Sequence, residues 1–535
     1  MVPTQPATRP SGPIASRPAT QPPELDLLLA RIDTRLFGQC CEDIRAWLDQ
    51  RVRQQIGGIL PDARHVKYRP EAAYVRMTGG AAADMAAQLL RAYELLGDAK
   101  YRDAALQTCQ FLLKAQQPKG YWLTAYVATR SGGVGPQASR RICRIRNGCQ
   151  FRPFALLLYA HRLTGEQSYF EAAKRCADCL RSIQCPATGS WPDYRDFSKP
   201  PARGAGIDAP GVYAGGSYHD FATTDAMRMM VMMYHATGER EYVAGLPRLG
   251  KWIFVTQLGQ GGVRGWCPQY GPASRPIAAP HPRTPVIHPE VFSRFTGPML
   301  GWLYGMTGRE ESLALLRETY AWMRSVERPE GWAEYYLPDG TEVFCRDRKL
   351  WRYDDAKAPT DAPAAYTRDK VRLDDVKKLL DVIAAGGREG LIRWHAGPTV
   401  LSPDQYHHAR LAAARRATDP RRLRQVRKRW MRQDAPDLPN QDCLGRGGVE
   451  RQAWHSIHTW TEPYHPPLGL SQWQYVYDVR LARGEISADA AATGGRGLEA
   501  MRLYERWDVL GDWTQRAIEV ERWLDVPLDE PAAPP

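Results

Sequence analysis

"MMYHATGEREYVAGLPRLGKWIFVTQLGQGGVRGWCPQY", residues 232 to 270, reads as an apolar helix stopped at Thr-Gly, a second amphipathic helix, a glycine-rich turn, then Trp266 and Tyr270. Gly238 marks the stop, because glycine takes the left-handed conformation that ends a helix without steric cost. The same order recurs in "AYELLGDAKYRDAALQTCQFLLKAQQPKGYW" (92–122), "LYAHRLTGEQSYFEAAKRCADCLRSIQCPATGSWPDY" (158–194) and "GWLYGMTGREESLALLRETYAWMRSVERPEGWAEYY" (301–336). The stopping glycines, Gly97, Gly165, Gly238 and Gly308, stand 68, 73 and 70 residues apart. Each turn leads to a tryptophan (Trp122, Trp191, Trp266, Trp332), with Tyr126, Tyr194, Tyr270 or Tyr336 three or four residues later.

A two-helix unit repeated at this step cannot bury its apolar faces alone and must stack on its neighbours. The step is about twice that of a tetratricopeptide repeat, and long irregular segments join the units, so a ring of helical hairpins is favoured over an open solenoid. The expected fold class is all-α: an α/α toroid, complete or incomplete, with irregular loops and a small β-hairpin. That hairpin is read at "EYYLPDGTEVFCRDRKLWRYD" (334–354), around the turn "PDG". Inter-hairpin loops of such a ring gather at one end, where a rigid scaffold can hold binding and catalytic side chains.

Residues 1–24 are Pro-, Thr- and Ala-rich and are read as a disordered tail. The toroid is expected over 25–380, an irregular basic segment packed on it over 381–470, and further helices over 471–535. Hydrophobic residues make up 43%, with 17 Trp and 25 Tyr, yet no apolar run is long enough to span a bilayer. No signal peptide opens the chain, and a secreted or periplasmic location with the signal absent from this chain is the expectation. Net charge is +13, concentrated in "ARRATDPRRLRQVRKRWMRQD" (414–434). This is a solvated helix face or an attractor of polyanions, for which nucleic acid and acidic polysaccharide both qualify; no nucleic-acid-binding motif accompanies it, which makes nucleic acid the weaker option and acidic polysaccharide the expected partner. Eleven cysteines include Cys176 and Cys179 in a C-x-x-C inside a helical stretch, read as small core residues in the absence of a second pair for zinc. One or two disulfides stay open.

Four copies of a Trp-turn-Tyr element point first to packing, most strongly for Trp122 and Trp191. Trp266 lies beside Gln269 and Tyr270, and Trp332 beside Glu334, Tyr335 and Tyr336, combinations that suit sugar rings with apolar faces and polar edges. "GGSYHDFATTDAMRMMVMMY" (215–234) opens the third hairpin. There Asp220 or Thr223 caps the helix and Asp225 complements its dipole, or else His219 and Asp220 face the mouth of the ring, Asp220 binding a cation or sugar. The Pro-rich "SRPIAAPHPRTPVIHPEVFSRF" (274–295) holds Arg275, His281, Arg283, His288 and Glu290 on a stiff loop, solvated or poised to clamp a carboxylate. Arg346 and Asp347 follow the hairpin turn.

In their order, "YHDFATTDAMRMMVMMYHATGEREYVAGLPRLGKWI", "GWCPQY", the Pro-rich arginine loop, "YGMTG" and "GWAEYYLPDGTEVFCRD" resemble the pectic acid lyases, the family ten polysaccharide lyases, over roughly 75–355. The resemblance implies an α/α toroid that cleaves polygalacturonate by β-elimination, an arginine taking the C5 proton while calcium and other arginines neutralise the uronate carboxylate. It implies Arg283 as the base with Arg275 as rival, Asp220 at the calcium, and Arg346 of the Arg-Asp pair on substrate. His219-Asp220 stands where the family has Asp-Asn, and Glu334 where it has arginine, a carboxylate that would repel polygalacturonate. Elimination of a uronate-containing polymer is thus the first expectation. Its rivals are a hydrolase of the same fold using Asp220, Glu290 and Glu334, and a non-catalytic carbohydrate-binding toroid.

Overall fold

The computed structural model describes residues 23–59, 72–77, 81–129, 131, 133–136, 141–198, 216–218, 221–271, 274, 276, 285–347, 349–359, 371–396, 402–431 and 469–488. Two helices, α1 (Pro23–Ala30) and α2 (Thr34–Arg53), precede four helical hairpins. The hairpins are α3 (Ala81–Leu96) with α4 (Ala99–Ala115), α5 (Phe151–Thr164) with α6 (Gln167–Ser182), α7 (Ala222–Thr237) with α8 (Leu246–Val255), and α9 (Gly297–Thr307) with α10 (Glu310–Ser325). The fold is the α/α toroid.

The first helix of each hairpin is the inner one. Every residue from Phe151 to Ala160 and from Phe221 to Tyr234 is buried, the signature of a helix surrounded by protein, whereas α4, α6 and α10 bury one stripe. Inner helices pack side by side: α3 on α5 and α5 on α7. At the next step Thr224 Oγ1 meets Met299 Sδ at 3.7 Å, and Phe221 meets Phe295 edge to face at 4.7 Å.

The glycine stops take the expected form. Gly97, Gly165, Gly238 and Gly308 have φ of 79°, 73°, 74° and 68°, and their N–H groups donate to Tyr93, His161, Tyr234 and Tyr304. In the third hairpin the second helix is delayed: a 3₁₀ turn at Arg240–Tyr242 comes first, and α8 starts at Leu246 with Pro247 in its first turn.

The tryptophans are staples inside the wall. Trp122, Trp191, Trp266 and Trp332 are all buried, and their indole N–H groups donate to Leu112, Leu180, Ile253 and Met323 on the preceding outer helix at 2.8 to 2.9 Å. In three repeats a tyrosine four residues on accepts from the residue after the Trp and donates to the end of the outer helix: Tyr126 to Ala115, Tyr270 to Thr256, Tyr336 to Val326. Such a ring buries a large apolar area with its polar atoms satisfied, so truncating one costs about 3 to 5 kcal/mol. The second repeat differs: the residue four after Trp191 is Arg195, and Tyr194 is only half-buried.

Past each staple the chain enters a short antiparallel strand at the same end of the ring. β1 (Ala72–Arg76), β2 (Ala125–Thr129) and β3 (Val134–Pro136) form one sheet, β4 (Ile142–Arg144) pairs with β5 (Tyr194–Asp196), and β6 (Gly216–Ser217) pairs with β7 (Gln269–Tyr270). The expected hairpin is present as β8 (Tyr335–Tyr336) and β9 (Glu342–Arg346), extended by β10 (Lys349–Arg352), with Asp339 and Gly340 (φ 88°) turning it. These strands form the rim of the mouth.

Both ends of the arc are covered. On one side α11 (Leu373–Ala396) packs on α9, where Gly301 lets Leu379 approach and Arg388 donates to the carbonyls of Gly305 and Met306 at 2.8 and 2.9 Å. On the other, α2 packs with α14 (Gly469–Ala482), which also carries α12 (Pro403–Thr418) and α13 (Pro420–Met431).

The segment expected to be irregular over 381–470 is therefore helical where it is described; its charges and the "AAGGREG" break hide the periodicity. Its arginines bind acids of the same chain: Arg416 and Arg422 hold the buried Asp478 at 2.7 and 3.2 Å, Arg415 pairs with Glu24 and Arg427 with Asp33. The basic stretch is thus a brace between the starts of α1 and α2 and helix α14. The ten described cysteines are buried free thiols, Cys176 and Cys179 among them. No helix among the described residues is long and apolar enough to cross a membrane. The tail up to residue 22, most of the loop expected over 444–470 and the helix expected from 495 lie outside the described residues.

Candidate functional site

The rim strands bring polar side chains from different repeats together. Asp193, just before β5, is fully buried and accepts from the amide of Gln269 on β7 at 3.1 Å and from Arg146 at 3.3 Å. Its carbonyl also accepts from the N–H of Ile145 at 2.8 Å, which fixes the loop after β4 against the second repeat.

That loop is pinned from below. Gln150 accepts from the N–H of Trp122 and donates to the carbonyls of Trp122 and Arg144, all at 2.8 to 2.9 Å. Thr223 does the equivalent one repeat later, its hydroxyl accepting from the N–H of Trp191 and donating to its carbonyl at 3.4 and 3.3 Å. The start of each of these inner helices is thereby locked to the staple of the previous hairpin. Thr223 is a receiver for Trp191 and not a cap; the cap position is held by Phe221, which makes no side-chain cap bond.

Behind the rim lies a second charged layer. Arg152 on α5 and Arg228 on α7 are nearly buried, and Arg228 lies over the rings of Trp302 and Phe151 at 4.9 and 5.7 Å. Asp225 on α7 is fully buried; among the described residues no hydrogen bond reaches either carboxylate oxygen, and Arg228 Nη1 approaches only to 4.0 Å. It stands in the first turn of α7 as expected, buried where a first-turn acid is ordinarily exposed. Burial pushes its pKa up to about 8, against the pull of Arg228 and Arg152. The thiol of Cys149 sits amid the same charges: burial raises it to about 12, while Arg144, Arg146 and Arg152 oppose that shift and Asp225 adds to it. Four arginines thus converge with two buried aspartic acids where the second and third hairpins meet the mouth. Arginine forks pair bidentately with carboxylates, so the cluster is suited to an acidic ligand.

Of the residues expected to touch substrate, Trp266, Gln269, Tyr270 and Tyr336 have no exposed surface. Trp266, Tyr270 and Tyr336 serve as staples, which corrects the expectation that they present a sugar platform; Gln269 instead orients Asp193. Trp332 is a staple too. Glu334 and Arg346 are partly exposed and lie 3.9 Å apart, and Glu334 accepts from the N–H of Cys345 at 3.1 Å. The carboxylate expected to repel a uronate therefore has a guanidinium beside it. Asp347 is exposed with φ 51°, a strained backbone for a residue with a side chain. Strain of the same kind occurs at Asn147 (φ 60°), next to Arg146, and at Phe221 (φ 67°), next to 219–220. Glu290 pairs with the buried Arg294 on a π-helical turn, and His288 meets Tyr335 edge to face.

His219, Asp220, Arg275, His281 and Arg283 lie outside the described residues. Among the described residues no group of three or more His, Cys, Asp or Glu side chains could hold a metal ion. The sequence reading missed Arg144, Arg146, Arg152, Asp193 and Arg228, and took Asp225 only as a first-turn acid. Two signals could have found them: the alternation of arginines in "RRICRIRNGCQFR" (140–152), and the loss of the Tyr position in the second repeat alone.

By sequence, the chain matches no family model and no curated protein. Among solved structures it is similar to the family 10 polysaccharide lyase from Cellvibrio cellulosa, at 17% identity over 56% of this chain and 97% of that one, TM-score 0.39. A mutant of that lyase in complex with trigalacturonic acid gives 16% identity over 58% and 99%, TM-score 0.40. The cellobiose 2-epimerase from Spirochaeta thermophila gives 16% over 61% and 78%, TM-score 0.35. Likeness at this level leaves the chemistry to be decided by the site's own residues.

Proposed function

We propose that this chain is a carbohydrate-active enzyme, a lyase that cleaves an acidic, uronate-containing polysaccharide by β-elimination. The observation that carries this reading is the convergence of Arg144, Arg146, Arg152 and Arg228 near the mouth, beside the buried Asp193 and Asp225. Arginines there would neutralise the carboxylate on C5 and so make the C5 proton more acidic. Arg283, with Arg275 as rival, would take that proton from the Pro-rich loop that leaves β7 and returns at Val286. Calcium at Asp220 belongs to the same proposal, as does an extracytoplasmic setting; when bound, the ion would screen uronate carboxylates. The hydrolase reading has less support, because Glu290 and Glu334 are each engaged with an arginine, Arg294 and Arg346.

Elimination leaves a conjugated double bond, so ultraviolet absorbance over time with a panel of uronate polymers, with and without a chelator, tests the reading. Absorbance should rise on at least one polymer and be lost in Arg283→Ala or Arg275→Ala. New reducing ends without absorbance would replace the lyase by a hydrolase. Retained elimination in both variants would remove the arginine base.

A further inference from the structure

Asp225 is an unusual component of an arginine cluster. A carboxylate among guanidinium groups normally accepts short charge-assisted hydrogen bonds, yet among the described residues Asp225 accepts none and keeps Arg228 at 4.0 Å. It is fully buried one turn into α7, below the rim, and its position is held by the same helix start that Thr223 locks to Trp191. The charged groups that act on it come from two elements, Arg228 on its own helix and Arg152 on α5. Arg152 and Asp225 in turn share the surroundings of the Cys149 thiol with Arg144 on β4 and Arg146 on the loop after it, and Arg146 also pairs with Asp193. Desolvation is the largest influence on it and outweighs Arg228 and Arg152, holding the group as a neutral acid up to about pH 8.

We propose that Asp225 is a charge gate for the arginine cluster: as a neutral acid it leaves the cluster its full positive charge for an anionic ligand, and as a carboxylate it offsets one of those charges. Asp225 needs no contact with the ligand for this; it is a positioning residue that acts through the field at Arg152 and Arg228. Removing one net positive charge at such range weakens a carboxylate ligand about tenfold in a medium intermediate between water and protein. The gate makes ligand affinity fall as pH rises through the range in which the buried acid ionises. The proposal rests on the acidic-ligand reading above.

The test is calorimetric affinity for two probes, a galacturonate trimer and inorganic sulfate, at about pH 6.5 and about pH 9.5, in wild type and Asp225→Asn. Neither probe changes its own charge over that range. Wild type should bind about tenfold more weakly at the higher pH, and Asp225→Asn, a neutral mimic of the acid, should bind equally at both. An equal fall in both proteins, or no fall in wild type, overturns the gate. If the trimer does not bind while sulfate keeps the wild-type pH dependence that Asp225→Asn lacks, the uronate reading fails and the gate stands. If neither probe binds, the gate falls as well. Should Asp225→Asn not fold, infrared difference spectra of wild type give the second readout: a protonated carboxyl band that sulfate binding strengthens at about pH 8 supports the gate, and its absence refutes it.

Discussion

Replacing Asp225 by Asn should change how stability depends on pH, with a sign opposite to that of an ordinary ion-paired aspartate. In the folded chain burial raises the pKa to about 8, from an ordinary carboxylate value of 3.8. Between those values the folded state holds a proton that the unfolded state has released. Stability therefore falls as pH rises, by roughly 1.4 kcal/mol per pH unit for one such group. Over the two units from about pH 5 to about pH 7, wild type should lose about 3 kcal/mol relative to Asp225→Asn, whose side chain does not titrate. That is a large share of the roughly 5 to 15 kcal/mol that holds a domain folded. Urea unfolding followed by circular dichroism at several pH values gives both curves. All other titrating groups are common to the two proteins and cancel in the difference. Parallel curves would refute the buried neutral acid. A wild type that gained stability relative to the variant as pH rose would show an ionised Asp225 stabilised by Arg228 and Arg152.

Three further outcomes test the scaffold. Gly238→Ala puts a side chain on a backbone at φ 74° and should cost about 1 to 2 kcal/mol with no loss of ligand binding, read by urea unfolding. Tyr270→Phe removes the hydroxyl that accepts from Cys267 and donates to Thr256, leaving two buried backbone groups unpaired, and should cost about 2 kcal/mol or more in the same assay. Asp478→Ala leaves Arg416 and Arg422 facing one another in the brace and should destabilise by about 3 kcal/mol; a change within about 0.5 kcal/mol would show that the brace is a surface feature only.

The fold was legible because it repeats. A Gly-closed helix, a second helix and a Trp after the turn are local features, and four copies at a near-constant step specify a ring without knowledge of any contact. The β-hairpin at "PDG" was legible for the same reason, since turn chemistry is local. The part read least well was 381–431, where "AAGGREG" and a run of arginines hide a helical pattern whose apolar stripe is narrow; there the partners Glu24, Asp33 and Asp478 are distant in sequence and define the packing.

The site divided along the same line. Polar residues beside an aromatic suggested a sugar platform at Trp266, Gln269, Tyr270 and Tyr336, but polarity along the chain does not say which way a strand faces, and all four turn inward. Conversely, Asp225 reads in sequence as an ordinary first-turn acid and Arg152 as a helix residue like any other. Only the stacking of α5 against α7 buries them side by side, and only burial turns an aspartic acid into a neutral one. The repeat, the helix stops and the staples follow from local sequence, because each depends on residues within one hairpin. The tertiary structure alone decided the charged centre, because its arginines and aspartic acids come from different repeats, and their electrostatics depend on distance and desolvation that no single segment encodes.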